Sequence, residues 1–382
     1  MLQKCKATTN LVNLLKTSFF ICRIFGLLSF EIRDGNIRES QSGSIYCSVI
    51  IFFSMIVSLF FLYATNVSAF MNRISTWTLQ GNFFYTLSSL LLLSNYIFGS
   101  SIIIILKYLS STAAKLPKEK LQKITKWAYF KDITLLILLM VHTPKIFSGP
   151  LSTKLLKLHL SYLVQSLFFL DFQYINYVYI LASCFEFINE ELISLKENVL
   201  TEQSHLLRRV YHNQFNPLLF IKLHYLKQWH YELNDIIRKM NATFSLQIVS
   251  SIIITFSELT FGLYFYIYDL LHNKQRPTDQ ECWYLYYYAV LFYFSLKLLL
   301  LTMVCQFVND ENCKTCTIIN EIIINTDDKF FKEEVHIFSL QLLHTNSAFI
   351  AKGVQLDASL LTTMSKGIFT YLLILIQFSS TN

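Results

Sequence analysis

Seven stretches of mostly apolar residues divide this chain, at about 45–64, 83–106, 132–148, 159–188, 245–268, 284–308 and 360–378. A helix needs roughly 20 such residues to cross the hydrocarbon core of a bilayer, and most of the seven are about that long. The pattern predicts an all-α, polytopic membrane protein with seven transmembrane helices, read as a single domain over residues 1–382. Pro144, with His142 in the third stretch, should kink or end that helix near its outer side. Residues 1–42 are polar and basic, yet Leu11, Leu14, Leu15, Ser18, Phe19 and Cys22 recur at helical spacing, which suits a segment lying partly on the inner membrane surface. The long polar stretch at about 189–244 should be mostly helical, and a second polar segment, 309–357, feeds the last span.

Composition agrees. At 53% hydrophobic and 16% aromatic residues, with only nine Gly and five Pro, an ordinary soluble domain is excluded and long helices run uninterrupted. The net charge of +7 does not indicate nucleic acid, because the basic residues sit between the apolar stretches. About 24 of the 32 Lys and Arg fall in segments 1–42, 107–131, 189–244 and 309–357, against about five in the alternate linkers. By the positive-inside rule this predicts a cytoplasmic N-terminus and an extracellular C-terminus. That orientation is opposite to a G-protein-coupled receptor, and neither an Asp-Arg-Tyr nor an Asn-Pro-x-x-Tyr motif is present. No cleavable signal peptide is evident, since Lys16 and Arg23 interrupt the first apolar residues.

Candidate chemistry is sparse. Cys313-Lys-Thr-Cys316 lacks further ligands at zinc-motif spacing, and Cys282 alone falls clearly in an outer linker. Asn66-Val67-Ser68 is an outward sequon close to the membrane, whereas Asn241-Ala242-Thr243 should face the cytoplasm and stay bare. No enzyme motif, metal site or cofactor is called for. Absence of a repeat between the two halves weighs against a transporter.

Three ionisable residues lie deep in spans: Asp171, Glu258 and Lys297. An unpaired charge at bilayer centre costs about 2.5–3.5 kcal/mol, so Lys297 is expected to pair with Asp171 or Glu258. The pair is either a tie between helices or a wall of a ligand pocket. Aromatic density supplies further pocket candidates, Tyr174 and Tyr177 in the fourth span, Tyr264 in the fifth, and Tyr287 and Tyr288 in the sixth. Rings with a few hydroxyl and carboxyl groups suit a small, mainly apolar organic ligand.

The last span, with its lead-in 358–378, carries Gly367, Thr370, Ile374 and Gln377 on one face at helical spacing. Such a face either lines a water-filled path or packs against another helix. Its run Thr370-Tyr371-Leu372-Leu373-Ile374-Leu375-Ile376-Gln377-Phe378 resembles the signature of insect gustatory receptors, Thr-Tyr, five apolar residues, Gln-Phe. The lead-in from Ala348 to Leu361 is also similar to that family's.

The resemblance implies a ligand-gated, non-selective cation channel in the plasma membrane of gustatory or other chemosensory neurons. It further implies a homo- or heterotetramer with other receptor subunits, in which four last spans (358–378) surround the pore. Segments 189–244 and 309–357 would then be cytoplasmic helical anchors. On this pattern Ile374 is the candidate gate and Gln377 a polar ring near the outer mouth, with Thr370, Tyr371 and Phe378 completing the signature. The sugar-sensing branch usually has Glu just after Thr-Tyr; here Leu372 stands there, which points to a bitter-type or other organic tastant. An odorant-receptor subunit of the same architecture and a secondary transporter are the alternatives.

Overall fold

The structure is a computed structural model and describes residues 18–33, 36–72, 76–146, 151–203, 217–272, 280–326, 328–345 and 348–380. Its elements are α1 (described over 18–24), the hairpin β1 (Phe30–Arg33) and β2 (Asn36–Glu39), α2 (Gln41–Asn72), α3 (Thr76–Ile97), α4 (Gly99–Ala113) and α5 (Lys118–Ile146). There follow α6 (Leu151–Gln203), α7 (Pro217–His272), α8 (Gln280–Asn325), α9 (Lys329–His344), a short hairpin of β3 (Ile350–Ala351) and β4 (Val354–Gln355), and α10 (Ala358–Ser380).

Helices occupy all seven predicted places. Among the described residues five are long and apolar enough to cross a membrane, or six when α3 and α4 are taken as one span bent by 64°. The remaining place falls on α5, whose side chains from 138 onward lie outside the described residues. Contacts along the helices show that they alternate in direction. α6 and α7 run oppositely, with Asp171 beside Ser251 and Phe185 beside His230. α6 and α8 run the same way, with Asp171 beside Lys297 and Lys196 beside Glu321, and Lys115 of α4 meets Glu232 of α7. The α4–α5 link, the end of α6, the start of α7 and all of α9 thus lie at one end of the bundle, here termed basal. The α2–α3, α5–α6 and α7–α8 links lie at the other, apical end.

Three helices greatly exceed a bilayer. α6, α7 and α8 contain 53, 56 and 46 residues, or about 70–84 Å at 1.5 Å per residue against a core of about 30 Å. Their basal halves persist because they bury one another: Leu195, Leu223, Leu233, Ile237, Val308 and Ile319 are fully enclosed. Ion pairs join the same segments, Lys196–Glu321 at 2.9 Å and Lys222–Glu191 at 2.8 Å, with Lys120 between Glu186 and Glu190 at 3.1 and 2.8 Å.

The N-terminal segment departs from a purely surface-lying role. Phe19, Cys22, Leu27, Leu28, Phe30 and Ile37 are buried against the bundle, while Phe20 and Ile24 stay exposed. Gly26, at φ +69°, makes the reversal possible, and a Cβ there would lie 3.0 Å from Ile50. Asn95 donates to the Leu27 carbonyl at 2.7 Å, and Gly99 sits against Ser29, so this segment braces the α3–α4 bend.

Candidate functional site

In the middle of the bundle the Lys297 ammonium lies 2.6 Å from Asp171, and their side chains are only 3% and 5% exposed. Ser251 of α7 donates to the same carboxylate oxygen at 2.8 Å, so three helices meet at one charge pair. Of the two partners open to Lys297, the structure selects Asp171. Glu258 instead accepts a hydrogen bond at 2.8 Å from Gln80 of α3. Close by, Trp77 stacks on Phe265 with ring centres 3.8 Å apart. Gln80 and Trp77 are additions to the sequence-derived candidates. They precede the second apolar stretch and look like linker, yet α3 begins at Thr76 and sets them against α7, Gln80 partly buried and Trp77 exposed on one side.

The candidate tyrosines separate into two places. Tyr174 and Tyr177 are buried on the basal side, both against Phe244, and Tyr174 also meets Phe349 edge-on at 6.4 Å. Tyr264 packs apically against Phe265, and the half-exposed Tyr288 has its hydroxyl 2.8 Å from that of Tyr266. The side chain of Tyr287 lies outside the described residues. Asp171, Tyr174, Tyr177 and Lys297 therefore pack as solid core, while Glu258, Tyr264 and Tyr288 lie at the apical end with Gln80 and Trp77. A cluster of Phe261, Tyr264, Phe265 and Leu372 carries that apical group onto α10.

α10 is the least enclosed span. Leu360, Met364, Ile368 and Leu372, four residues apart, form its buried stripe. On the opposite face Thr363, Lys366, Thr370, Leu373, Ile374 and Gln377 are exposed. Thr370 returns its hydroxyl to the Lys366 carbonyl at 2.9 Å, and Tyr371 meets Phe256 edge-on at 5.7 Å. Gly367 differs from the expectation that put it on the polar face: a Cβ there would stand 3.0 Å from the Phe256 ring, so its smallness serves packing. The side chain of Phe378 lies outside the described residues.

The β3–β4 hairpin leads directly into α10. Its turn holds two positive φ values, 49° at Lys352 and 88° at Gly353. Asn241 of α7 clasps the hairpin with both ends of its amide, donating to the Ala348 carbonyl at 2.9 Å and accepting from the Ile350 amide at 3.3 Å. The sequon amide is thus already engaged.

At the basal end a polar network ties α6, α7 and α8. His230 bonds Asn312 at 2.9 Å and Asn234 at 3.1 Å, and Asn189 donates to Glu311 at 2.8 Å while accepting from Thr315 at 2.7 Å. Burial pushes His230 down to about 4, against the small upward pull of Asn312. Burial disfavours the Glu334 charge, but Lys227 and His224 outweigh it and hold this carboxyl below the usual range. No group of three His, Cys, Asp or Glu able to hold a metal occurs among the described residues.

Comparison with known proteins adds three findings. The profile of the "7tm Chemosensory receptor" family matches residues 15–382. Gustatory receptor 28b of Drosophila melanogaster is 29% identical over 147 residues, 37% of this chain and 30% of that protein. Gustatory receptor for sugar taste 43a of the same species is 28% identical over 156 residues, 40% of this chain and 35% of that protein. The chain thus spans about a third of the length of the curated relatives it matches. The solved structure of olfactory receptor OR5 from Machilis hrabei superposes with a TM-score of 0.69 at 10% identity, covering 97% of this chain and 99% of that one. Its complex with eugenol gives 0.66 at 12% identity, over 95% and 97%.

Proposed function

We propose, for a chain that belongs to the 7tm chemosensory receptor family, a gustatory-type ligand-gated cation channel opened by a small organic tastant. It is a multi-pass membrane chemoreceptor and not an enzyme. The gustatory side is favoured over the odorant side because the sequence relatives are gustatory receptors, whereas the olfactory likeness is one of fold.

One observation carries the channel reading. α2 and α10 are both little enclosed, with 22% and 17% of their most apolar windows buried. On α2 the outward side chains are Ile45, Val49, Phe52, Phe53, Ile56, Leu59 and Phe60, which suit lipid. On α10 they include Phe369, Leu373 and Ile374 together with Thr363, Lys366, Thr370 and Gln377 at turn spacing, a polar strip that lipid would oppose and a shared aqueous path would accept. Four copies of α10 around one axis place Ile374 as an apolar gate and Gln377 as an amide ring beyond it, with Thr370, Tyr371 and Phe378 in the same segment. The basal extensions, 189–244 and 309–357, anchor the assembly on the cytoplasmic side, and segment 1–42 lies there too. The C-terminus then faces outward.

Ligand recognition belongs to the apical group, Gln80, Glu258, Trp77, Tyr264, Phe265, Tyr266 and Tyr288, because it combines a carboxylate–amide pair with aromatic rings and meets α10 through Leu372. A mostly aromatic lining with one carboxylate–amide pair favours an apolar organic compound of bitter type over a polyhydroxylated sugar. The eugenol bound by OR5 is a ligand of that size, whereas receptor 43a is named for sugar taste. The test is current recording from cells expressing this chain under a panel of bitter compounds and sugars, with tags at both termini. Unitary cation currents evoked by apolar compounds support the reading. Saturable uptake without unitary currents would identify a transporter, and an exposed N-terminal tag would reverse the topology.

A further inference from the structure

Most basal lysines are committed within the protein. Lys115, Lys120, Lys196, Lys222, Lys227 and Lys239 each lie against an acidic side chain of the chain itself. The elbow between α4 and α5 differs, as do Lys329 and Lys332 of α9, which take part in no ion pair among the described residues. Lys107, Lys118, Lys123 and Lys126 are all exposed there and take part in no ion pair among the described residues. Glu119 is the one acid of that stretch, and it lies on the far side of Lys123 from the membrane.

The residues beyond these lysines on α5 identify their partner. At 100° per residue, Lys123, Lys126, Phe130, Ile133 and Ile137 fall within a sector of about 80°. Phe130, Ile133 and Ile137 are 74%, 58% and 60% exposed, so a bare apolar strip begins one turn beyond Lys126. On α4 the exposed Ile104 and Tyr108 flank Lys107 in the same way, and Lys239 holds its ammonium 3.9 Å above the Tyr108 ring. A cationic belt running straight into a lipid-facing strip fits an amphiphile, with an anionic head and an acyl tail. An acidic protein would satisfy the lysines but not the strip.

We propose that the α4–α5 elbow binds anionic phospholipid of the inner leaflet, with Lys107, Lys118, Lys123 and Lys126 contacting head-group phosphate and Phe130, Ile133 and Ile137 contacting the chains. The leaflet assignment rests on the orientation proposed above; the binding itself does not. Each basic group near an anionic surface contributes about a fivefold increase in affinity. Binding at this elbow would hold α4 at the membrane surface and thereby steady the 64° bend that the N-terminal segment braces.

The test uses the full chain purified in neutral detergent, with retained lipid counted by native mass spectrometry after equilibration with phosphatidylserine and phosphatidylcholine together. The wild-type chain should retain phosphatidylserine preferentially. The variant Lys107→Gln/Lys118→Gln/Lys123→Gln/Lys126→Gln should lose that preference by at least about tenfold, while Lys329→Gln/Lys332→Gln, on α9, should keep it. Unchanged preference in the fourfold variant overturns the site, as does an equal loss in the α9 control. Should the fourfold variant fail to fold, Lys123→Gln/Lys126→Gln alone is expected to lower the preference about tenfold or more and is read in the same way. Tag accessibility reports separately on the leaflet: an extracellular N-terminus removes the inner-leaflet assignment and leaves the detergent result standing.

Discussion

Lys297→Met removes one member of the mid-bundle charge pair while nearly preserving side-chain volume. Asp171 would remain 5% exposed, with the Ser251 hydroxyl at 2.8 Å but no counter-charge. Breaking a buried pair in this way costs about 3–5 kcal/mol, because the remaining ion has lost both water and partner. At about 1.4 kcal/mol per decade, that lowers the ratio of folded to unfolded receptor by roughly two to nearly four orders of magnitude. Replacing both members, Lys297→Met with Asp171→Asn, removes the stranded charge and should recover most of the loss. Glu258→Gln should recover none, because its partner is Gln80 on another helix. The measurement is fluorescence-detected size exclusion of each variant after a heating series, together with surface expression. The coupling energy of the Lys297–Asp171 cycle should exceed about 2 kcal/mol, and that of Lys297 with Glu258 should stay within about 0.5 kcal/mol. Normal expression of Lys297→Met, or rescue by Glu258→Gln instead of Asp171→Asn, would refute the pairing.

Three further outcomes are expected elsewhere in the molecule. Ile374→Ser should wet the gate and give current without ligand, whereas Gln377→Glu should raise divalent permeation and leave the ligand dose dependence nearly unchanged; patch-clamp recording checks both. Asn241→Ala should release the partly buried Ala348 carbonyl and Ile350 amide, at about 1 kcal/mol for each lost hydrogen bond, and change the resting open probability because this hairpin feeds α10. His230 stays neutral when folded to about pH 4 but takes a proton near pH 6.5 when unfolded, so stability is whole above about pH 6.5 and falls on acidification. At pH 5 the loss is about 2 kcal/mol, and His230→Asn, read by thermal unfolding in detergent, should flatten that part of the pH profile.

Most spans were legible in the sequence because a bilayer imposes a length and an apolar composition that five helices, or six with the bent α3–α4 pair, satisfy among the described residues. The α3–α4 bend was not, although Gly99-Ser100-Ser101 marks the place, because residues 83–106 are long and apolar enough to read as one span. Its bracing lies far off in the chain, where Leu27 and Ser29 meet Asn95 and Gly99. The N-terminal segment was ambiguous for a related reason: helical spacing of Leu15, Phe19 and Cys22 is the same whether the apolar face meets lipid or protein. Polar partners show the limit most sharply. A buried lysine announces that it needs a carboxylate, but Asp171 and Glu258 are equally apolar in their flanks, and only the helix arrangement decides between them. Gln80 could have been suspected, as an amide just before a span and close to Trp77, but nothing local to it names Glu258.

The last span shows how the two kinds of information combine. The run from Thr370 to Phe378 supports both a pore wall and a packing face, because its spacing puts Gly367, Thr370, Ile374 and Gln377 together. The structure divides that set: Gly367 is pressed against Phe256, while Thr370, Ile374 and Gln377 stay exposed on the side away from Leu360, Met364, Ile368 and Leu372. A helix that packs through aliphatic groups and presents ammonium, amide and hydroxyl groups outward beside Phe369, Leu373 and Ile374 carries a mixed face, whose polar part lipid would oppose. The arrangement becomes favourable when further copies supply the facing surface and water fills the space between them, so the polar face of α10 argues for assembly and for conduction together.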